Sequence, residues 1–204
     1  EIIGCDDPST PKCDITCVGA SACFGADKTL QCAGDKDCVV SCSGSTACRF
    51  ATLNCPSAPH ACDVRCTGSN RDTCRDLKLR AEEARALSFA CDAASHNICQ
   101  GAQIHCPTGG GATSCAVACA SPTDTSYGHY CYSIDVFAND SPVGSVSVSC
   151  SGKAVLLCRD MDIRAGGVTN ALAVDCSDCT YEGIASECCY NAQVSACPAA
   201  ASAG

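Results

Sequence analysis

Cysteine is the reactive residue that dominates this chain, since 25 of the 204 residues are cysteine. The segment from Cys38 to Pro56, CVVSCSGSTACRFATLNCP, holds four of them, separated by three, five and six residues. Cysteine at this density serves disulfides, metal ligation or thiol chemistry. The cysteine fraction lies above the level that marks disulfide scaffolds, so cross-linking is the first interpretation.

Metal ligation is the alternative use of these sulfurs. Only CSDC, from Cys176 to Cys179, has the close spacing of zinc ligands, and no second such pair accompanies it. The histidines are scattered over corners and one outward strand position: His60, His96, His105 and His129. We therefore predict no metal site and no cofactor.

A repeat with a period-two pattern organises the cysteines. CDITC (Cys13 to Cys17), CVVSC (Cys38 to Cys42) and CDVRC (Cys62 to Cys66) begin 25 and then 24 residues apart. The same alternation continues in segments that end at Cys91, Cys119, Cys150 and Cys176. A repeat of two residues predicts β-strands with one buried face, and the sequence contains seven such segments.

A second strand type lies between these copies. It starts with cysteine, continues with two residues, and then alternates apolar positions up to a cysteine or alanine. The segments are 23–32, 48–55, 74–81, 99–106, 131–138, 158–165 and 189–196. Corners rich in Gly, Ser, Asp and Pro join the two types.

Strict alternation of two strand types predicts an all-β fold, a disulfide-rich β-solenoid of about seven coils. We expect a single domain over 1–197, followed by a flexible tail or linker over 198–204. A sandwich of antiparallel strands is the alternative. RAEEARAL (Arg80 to Leu87) looks helical in isolation, but it occupies a corner, so we expect one helical turn at most.

Pairing the cysteines in sequence order places one bridge across each corner. Where a second-type strand ends in Ala81, Ala138 or Ala165, the next strand begins with Leu87, Val146 or Leu172, so both partners are absent together. Such paired absences are expected of residues that bond to each other. The predicted bridges are Cys5–Cys13, Cys17–Cys23, Cys32–Cys38, Cys42–Cys48, Cys55–Cys62, Cys66–Cys74, Cys91–Cys99, Cys106–Cys115, Cys119–Cys131 and Cys150–Cys158.

The last five cysteines depart from this rule. Cys176 pairs by register with Cys188 or Cys189, which leaves Cys179 with the other one. Cys197 is the odd sulfur, so we expect it to be a free thiol or an intermolecular bridge. Both ends of the sequence fall inside the repeat pattern, and this favours either a piece of a longer solenoid or end-to-end stacking of protomers. A plain boundary with disordered termini is the alternative.

The two outward faces differ in chemistry. Outward first-type residues are nearly all small from the fourth coil on, which suits lateral packing, whereas those of the second type are charged. Asp135 and Asp162 on adjacent coils are the only candidates for acid–base catalysis, but opposite charges along a ladder are typical of a solvated face. We therefore predict no catalytic site. The inward residues of the first type are Ile15, Val40, Val64, Phe89, Val117, Val148 and Val174.

A stapled coil with small outward residues resembles the insect antifreeze β-solenoids, and this resemblance implies the same architecture. The Thr-x-Thr array of that family is missing, because only Thr16 occurs among the outward first-type pairs. The sequence pattern CxΦxCxGSxxC, where Φ is an apolar residue, is also similar to cysteine-rich extracellular repeats of unicellular eukaryotes, including surface and flagellar-hair fibre proteins.

Composition limits the setting and the partners. Disulfides at this density require an oxidising compartment, so we expect a secreted or cell-surface protein. A net charge of −9 argues against nucleic acid, and no run of eighteen apolar residues exists for membrane insertion. The sequence favours an extracellular structural protein of a rigid filament, glycosylated at Asn139, with copies of itself and glycans as partners. The alternatives are a carbohydrate- or ice-binding surface protein and, more remotely, a polysaccharide-active enzyme.

Overall fold

The structure is a computed structural model that describes residues 1–5, 9–68, 71–93, 97–108, 113–121, 130–138, 142–152, 157–176 and 193–195. Throughout this part, the regular secondary structure consists of β-strands. They form a disulfide-rich β-solenoid of about six turns, close to the seven coils expected. No helix in the described residues is long and apolar enough to cross a bilayer.

One sheet of the solenoid, the long sheet, contains the seven first-type strands. All of them are parallel, and each pairs with the equivalent strand of the next coil, as in the register Cys13↔Cys38↔Cys62. The alternation of branched apolar residues and cysteine places one side of each strand in the interior. The strands are β2 (Lys12–Val18), β4 (Asp37–Ser43), β6 (Ala61–Gly68), β8 (Ala86–Ala93), β10 (Ser114–Ser121), β12 (Val143–Gly152) and β14 (Val168–Asp175).

The second sheet, the short sheet, contains eight parallel strands of three residues each. They occupy only the second half of each segment that the sequence marks as a second-type strand. Strands of the two sheets alternate along the chain, and pairing joins only strands two apart, so the structure excludes the antiparallel sandwich. The strands are β1 (Ile2–Gly4), β3 (Thr29–Gln31), β5 (Thr52–Asn54), β7 (Lys78–Arg80), β9 (Gln103–His105), β11 (Asp135–Phe137), β13 (Asp162–Arg164) and β15 (Gln193–Ser195).

The core consists of side-chain columns that run along the solenoid axis. In the long sheet, the inward column from Ile15 to Val148 is at most 4% exposed. Leu30, Leu53, Leu79, Ile104, Val136 and Ile163 form the facing column of the short sheet, each fully buried. Val174 was expected in the first column and does pair with Val148, but it is 40% exposed. The reason is that β14 is the last strand of the long sheet, with no described strand on its far side.

A third face carries its own ladder of hydrogen bonds, where corners and the first halves of the second-type strands were expected. We call it the turn face, and it comprises residues 19–25, 44–50, 71–76, 97–101, 130–133 and 157–160. Every second residue has a positive φ, for example Thr46 (58°), Cys48 (56°) and Phe50 (62°). The Cys48 N–H donates to Ala22 O of one neighbouring coil at 2.9 Å, whereas the Phe50 N–H donates to Arg75 O of the other at 3.0 Å. These bonds satisfy backbone N–H and C=O groups of the face without strand pairing.

Candidate functional site

Between described cysteines, ten disulfides are present, and they join the ten pairs that the sequence indicates. Six lie at the turn corner, where the chain leaves a long strand for the turn face: Cys17–Cys23, Cys42–Cys48, Cys66–Cys74, Cys91–Cys99, Cys119–Cys131 and Cys150–Cys158. Four lie at the sheet corner, where the chain passes from a short strand to the next long one: Cys5–Cys13, Cys32–Cys38, Cys55–Cys62 and Cys106–Cys115. Each bridge closes a loop within one coil.

An apolar pair occupies the sheet corner where the disulfide is missing. Leu87 lies in register with Cys62 on one side and Cys115 on the other, and Leu87 and Ala81 are each 1% exposed. Ala138 and Val146 fill the equivalent place two coils later, also at 1% exposure. The interior at this corner is therefore filled either by a disulfide or by a pair of apolar side chains.

The turn-corner disulfides hold a strained backbone. The second cysteine of every described turn-corner bridge has φ between 48° and 56°, as in Cys48, Cys74 and Cys131. A left-handed conformation costs a residue with a Cβ roughly 1–2 kcal/mol. None of the described sheet-corner cysteines has a positive φ. The two kinds of corner therefore place different demands on the bridge.

The sulfurs of successive coils lie close together without forming a metal site. Cys13 Sγ and Cys38 Sγ are 3.6 Å apart, and Cys17, Cys42 and Cys48 form a sulfur triple within 4.8 Å. All of these sulfurs are in disulfides and offer no thiolate to a metal. Cys176 is also disulfide-bonded. Cys179, Cys188, Cys189 and Cys197, together with the glycosylation candidate Asn139, lie outside the described residues.

The turn face carries a network of ion pairs centred on Asp72. Its carboxylate accepts hydrogen bonds from Arg49 Nη1 at 3.1 Å, Arg75 Nη1 at 3.3 Å and Asn97 Nδ2 at 3.1 Å. The Arg49 guanidinium also lies over the Phe50 ring, 4.6 Å from its centroid. The Arg49–Asp72 and Asn97–Asp72 contacts join neighbouring rows of the turn face, whereas the Arg75–Asp72 and Arg49–Phe50 contacts lie within one row. The network therefore ties three coils together.

The outward residues of the short sheet bring the catalytic candidates together. Asp135 and Asp162 are register partners on β11 and β13, and Asp162 Oδ2 accepts a hydrogen bond from Arg164 Nε at 2.8 Å. Burial raises the pKa of Asp135, the Arg164 charge lowers it, and Asp162 raises it further. The Arg164 guanidinium also packs on Phe137, 4.9 Å from the ring centroid. With one arginine beside two acids, the arrangement is that of a partly compensated charge ladder on the surface.

The outward residues of the long sheet are small over its second half, as expected from the sequence. On β8, β10 and β12 they are Ser88, Ala90, Ala116, Ala118, Ser147 and Ser149. The first half of the same face carries the Asp63–Arg65 ion pair, with Arg65 Nη2 and Asp63 Oδ2 2.8 Å apart. The long sheet is therefore polar and uneven at one end and nearly flat at the other.

Comparisons with protein-family models, curated proteins and solved structures find no match. The class of this chain consequently depends on its geometry alone. Stacked parallel coils with a bridge at each described turn corner define a cysteine-rich, disulfide-stapled β-solenoid. The number of disulfides fits an oxidising compartment.

Proposed function

We propose that the protein is an extracellular structural protein, a protomer or a segment of a rigid, glycosylated, disulfide-stapled filament. The observation that carries this proposal is the continuity of the rod. The inward columns run from coil to coil without interruption, and a bridge closes the turn corner of every coil from β2 to β12. Seven strands at about 4.8 Å spacing make a straight element roughly 30 Å long.

The staples support a mechanical role rather than a soluble signalling one. Each bridge closes a loop of 6 to 12 residues in sequence separation. Short loops of this kind contribute roughly 2–3 kcal/mol each by restricting the unfolded chain. Because a thin rod buries little apolar surface per residue, cross-links at every coil make it durable outside the cell.

Strand edges offer the contact by which such a rod extends. Among the described residues, β1 pairs only with β3 and β2 only with β4, so each has one edge without a neighbour. Open edges accept further parallel strands through their backbone N–H and C=O groups. The added coil comes from the same polypeptide or from a neighbouring copy, and in the second case Cys197 is our candidate for the covalent link.

Electron microscopy and non-reducing gels test this proposal together. We expect the secreted protein to form end-to-end assemblies, and we expect Cys197→Ser to remove a disulfide-linked dimer band while leaving the fold intact. A matched control is a protein treated with a thiol-blocking reagent as the medium is collected, which excludes bridges formed during preparation. A monomer in both variants, with a free thiol at Cys197, would contradict the filament.

A further inference from the structure

A surface cavity of about 420 Å³ opens over three consecutive strands of the short sheet. Its floor consists of Gln31 on β3, Asn54 on β5 and Arg80 on β7, which are register partners. Its wall consists of corner residues, among them Ser57, Glu82 and Glu83. The volume lies within the range of small-molecule sites, and most of the lining residues are polar or charged.

The floor is a row of planar polar groups at the strand spacing. Asn54 Nδ2 donates to Gln31 Oε1 at 2.8 Å, and Gln31 Nε2 donates to Cys32 O at 3.1 Å. Those bonds fix the orientation of both amides, while Asn54 retains its carbonyl oxygen and its second N–H for a ligand. Three strands at about 4.8 Å spacing make a floor roughly 10 Å long, parallel to the solenoid axis.

The wall is held in place before any ligand arrives. Ser57 Oγ donates to Glu83 Oε2 at 2.7 Å, and the Thr108 N–H and hydroxyl both donate to Glu82 O at 2.8 Å. The Cys55–Cys62 bridge closes the corner that carries Ser57. Since these groups are already ordered, a ligand would not have to order them on binding.

The cavity offers both hydrogen-bond donors and hydrogen-bond acceptors that the described residues leave unused. The Arg80 guanidinium makes no hydrogen bond or ion pair with any other described residue, so its side-chain N–H donors are available. The carboxylates of Glu82 and Glu83 accept only, and most of their lone-pair positions remain open. Donors on one side and acceptors on the other match groups that both donate and accept, and hydroxyls are the commonest such groups.

The charge of the cavity favours a neutral hydroxyl-rich ligand over an acidic one. One guanidinium and two carboxylates line the cavity, in a chain with a net charge of −9. An acidic glycan would meet repulsion from the wall and from the protein as a whole. We propose that this cavity binds a neutral saccharide, with its chain lying along the solenoid axis over Gln31, Asn54 and Arg80. This binding activity is independent of whether the rod forms filaments.

Titration calorimetry with defined oligosaccharides tests the proposal. The probes are cellohexaose, laminarihexaose and chitin hexaose as neutral chains, with hexagalacturonate as the acidic one. We expect saturable binding of at least one neutral chain and a weaker interaction with the acidic one. Absence of saturable binding to all three neutral chains at millimolar concentration, or a preference for hexagalacturonate, would overturn the assignment.

Substitutions locate the binding in the cavity. Arg80→Ala and Glu83→Gln should each weaken the neutral chain by about tenfold, because each removes a charged hydrogen-bonding partner. Lys78→Ala is the matched control, since Lys78 is an outward cation on the same strand but does not line the cavity. Asn54→Ala provides a second floor variant if Arg80→Ala secretes poorly. Equal affinity in the floor variants and in Lys78→Ala would overturn the site.

Discussion

The two corners of each coil differ in their dependence on cysteine, although both are bridged in the first coils. At the turn corner, a disulfide closes all six described coils from Cys17–Cys23 to Cys150–Cys158. At the sheet corner, the bridge gives way in the fourth coil to Ala81 and Leu87, which are just as buried. The positive φ of the turn-corner cysteines marks the difference.

This difference teaches that one bond type has two separate uses in the rod. At the sheet corner the cysteines have ordinary backbone conformations, so the disulfide mainly fills space and restricts the unfolded chain. Apolar side chains can take over the filling of space but not the restriction of the unfolded chain. At the turn corner it also holds a left-handed residue whose conformation is intrinsically unfavourable. An apolar pair would leave that residue to the hydrogen-bond ladder alone, which does hold Thr46 and Phe50 at positive φ.

The largest expected effect comes from removing a turn-corner bridge. Cys42→Ala with Cys48→Ala should lower the free energy of unfolding by about 3 kcal/mol. Replacing Cys48 by glycine instead of alanine should recover roughly 1 kcal/mol, since glycine tolerates φ near 56°. Denaturant unfolding of both double variants measures the difference. If the glycine variant is no more stable than the alanine variant, backbone strain is not what the turn-corner bridge opposes.

The sheet corner should accept the replacement that the chain itself uses. Cys55→Ala with Cys62→Leu should cost about 1 kcal/mol, because the leucine offsets part of the lost cross-link by burial. Cys55→Ser with Cys62→Ser should cost about 3 kcal/mol, since it loses the bridge and buries hydroxyls. Thermal melts of the two variants give the comparison, and equal losses would remove the distinction between the corners.

The reverse exchange should add a staple in the fourth coil. Ala81→Cys with Leu87→Cys places two cysteines at positions equivalent to Cys55 and Cys62. We expect an additional disulfide and a net gain of about 1 kcal/mol, the bridge being offset by the smaller buried side chains. Non-reducing peptide mapping identifies the bond. A variant that keeps two free thiols would show that the leucine-filled corner has a different geometry.

The smallest expected effect is a dependence on acid at the sheet corner. Asp37 Oδ1 accepts the Ala61 N–H at 2.8 Å, and this bond lowers the pKa of Asp37, with the charge of His60 acting in the same direction. Since the folded pKa lies below the unfolded value of about 3.9, the contribution is complete above that pH and is lost as pH falls through the folded pKa.

Asp37→Asn keeps an oxygen that can accept this bond but removes the charge. It should flatten the stability profile below pH 4 by less than about 1 kcal/mol and leave neutral pH nearly unchanged. Unfolding curves of the two proteins at matched pH values measure the effect. Identical profiles at low pH would show that the charge of Asp37 contributes nothing.

Parallel coils and bridges were predictable because the interior demands a strict pattern. The alternation around Val40 and Val64, and the paired absence at Ala81 and Leu87, each allow one register only. The turn face was missed, because most of its left-handed positions are occupied by cysteine and short polar residues, with glycine at only some of them. A usable signal exists two residues before the cysteine, where Ser21, Thr46, Asp72 and Asn97 are types that tolerate or favour such turns.

The cavity over the short sheet that we propose as a saccharide site could not have been found from the pattern. Gln31, Asn54 and Arg80 are recognisable as one outward column, but Glu83 belongs to RAEEARAL, whose letters suggest a helix. In the structure this segment is a turn whose Glu83 side chain bonds to Ser57 of the neighbouring coil. Corner shape depends on contacts between coils, which a residue pattern within one coil does not record.

Every described disulfide closes a loop inside one coil, so tension applied along the rod would meet only hydrogen bonds and packing between coils. Coils would peel off one at a time, and each would release only the chain outside its closed loops. A fibre built from such coils would therefore lengthen in small, limited steps and could recoil when the load is removed. In materials terms, the staples set a ceiling on extension while leaving the force for each step to the weaker bonds between coils.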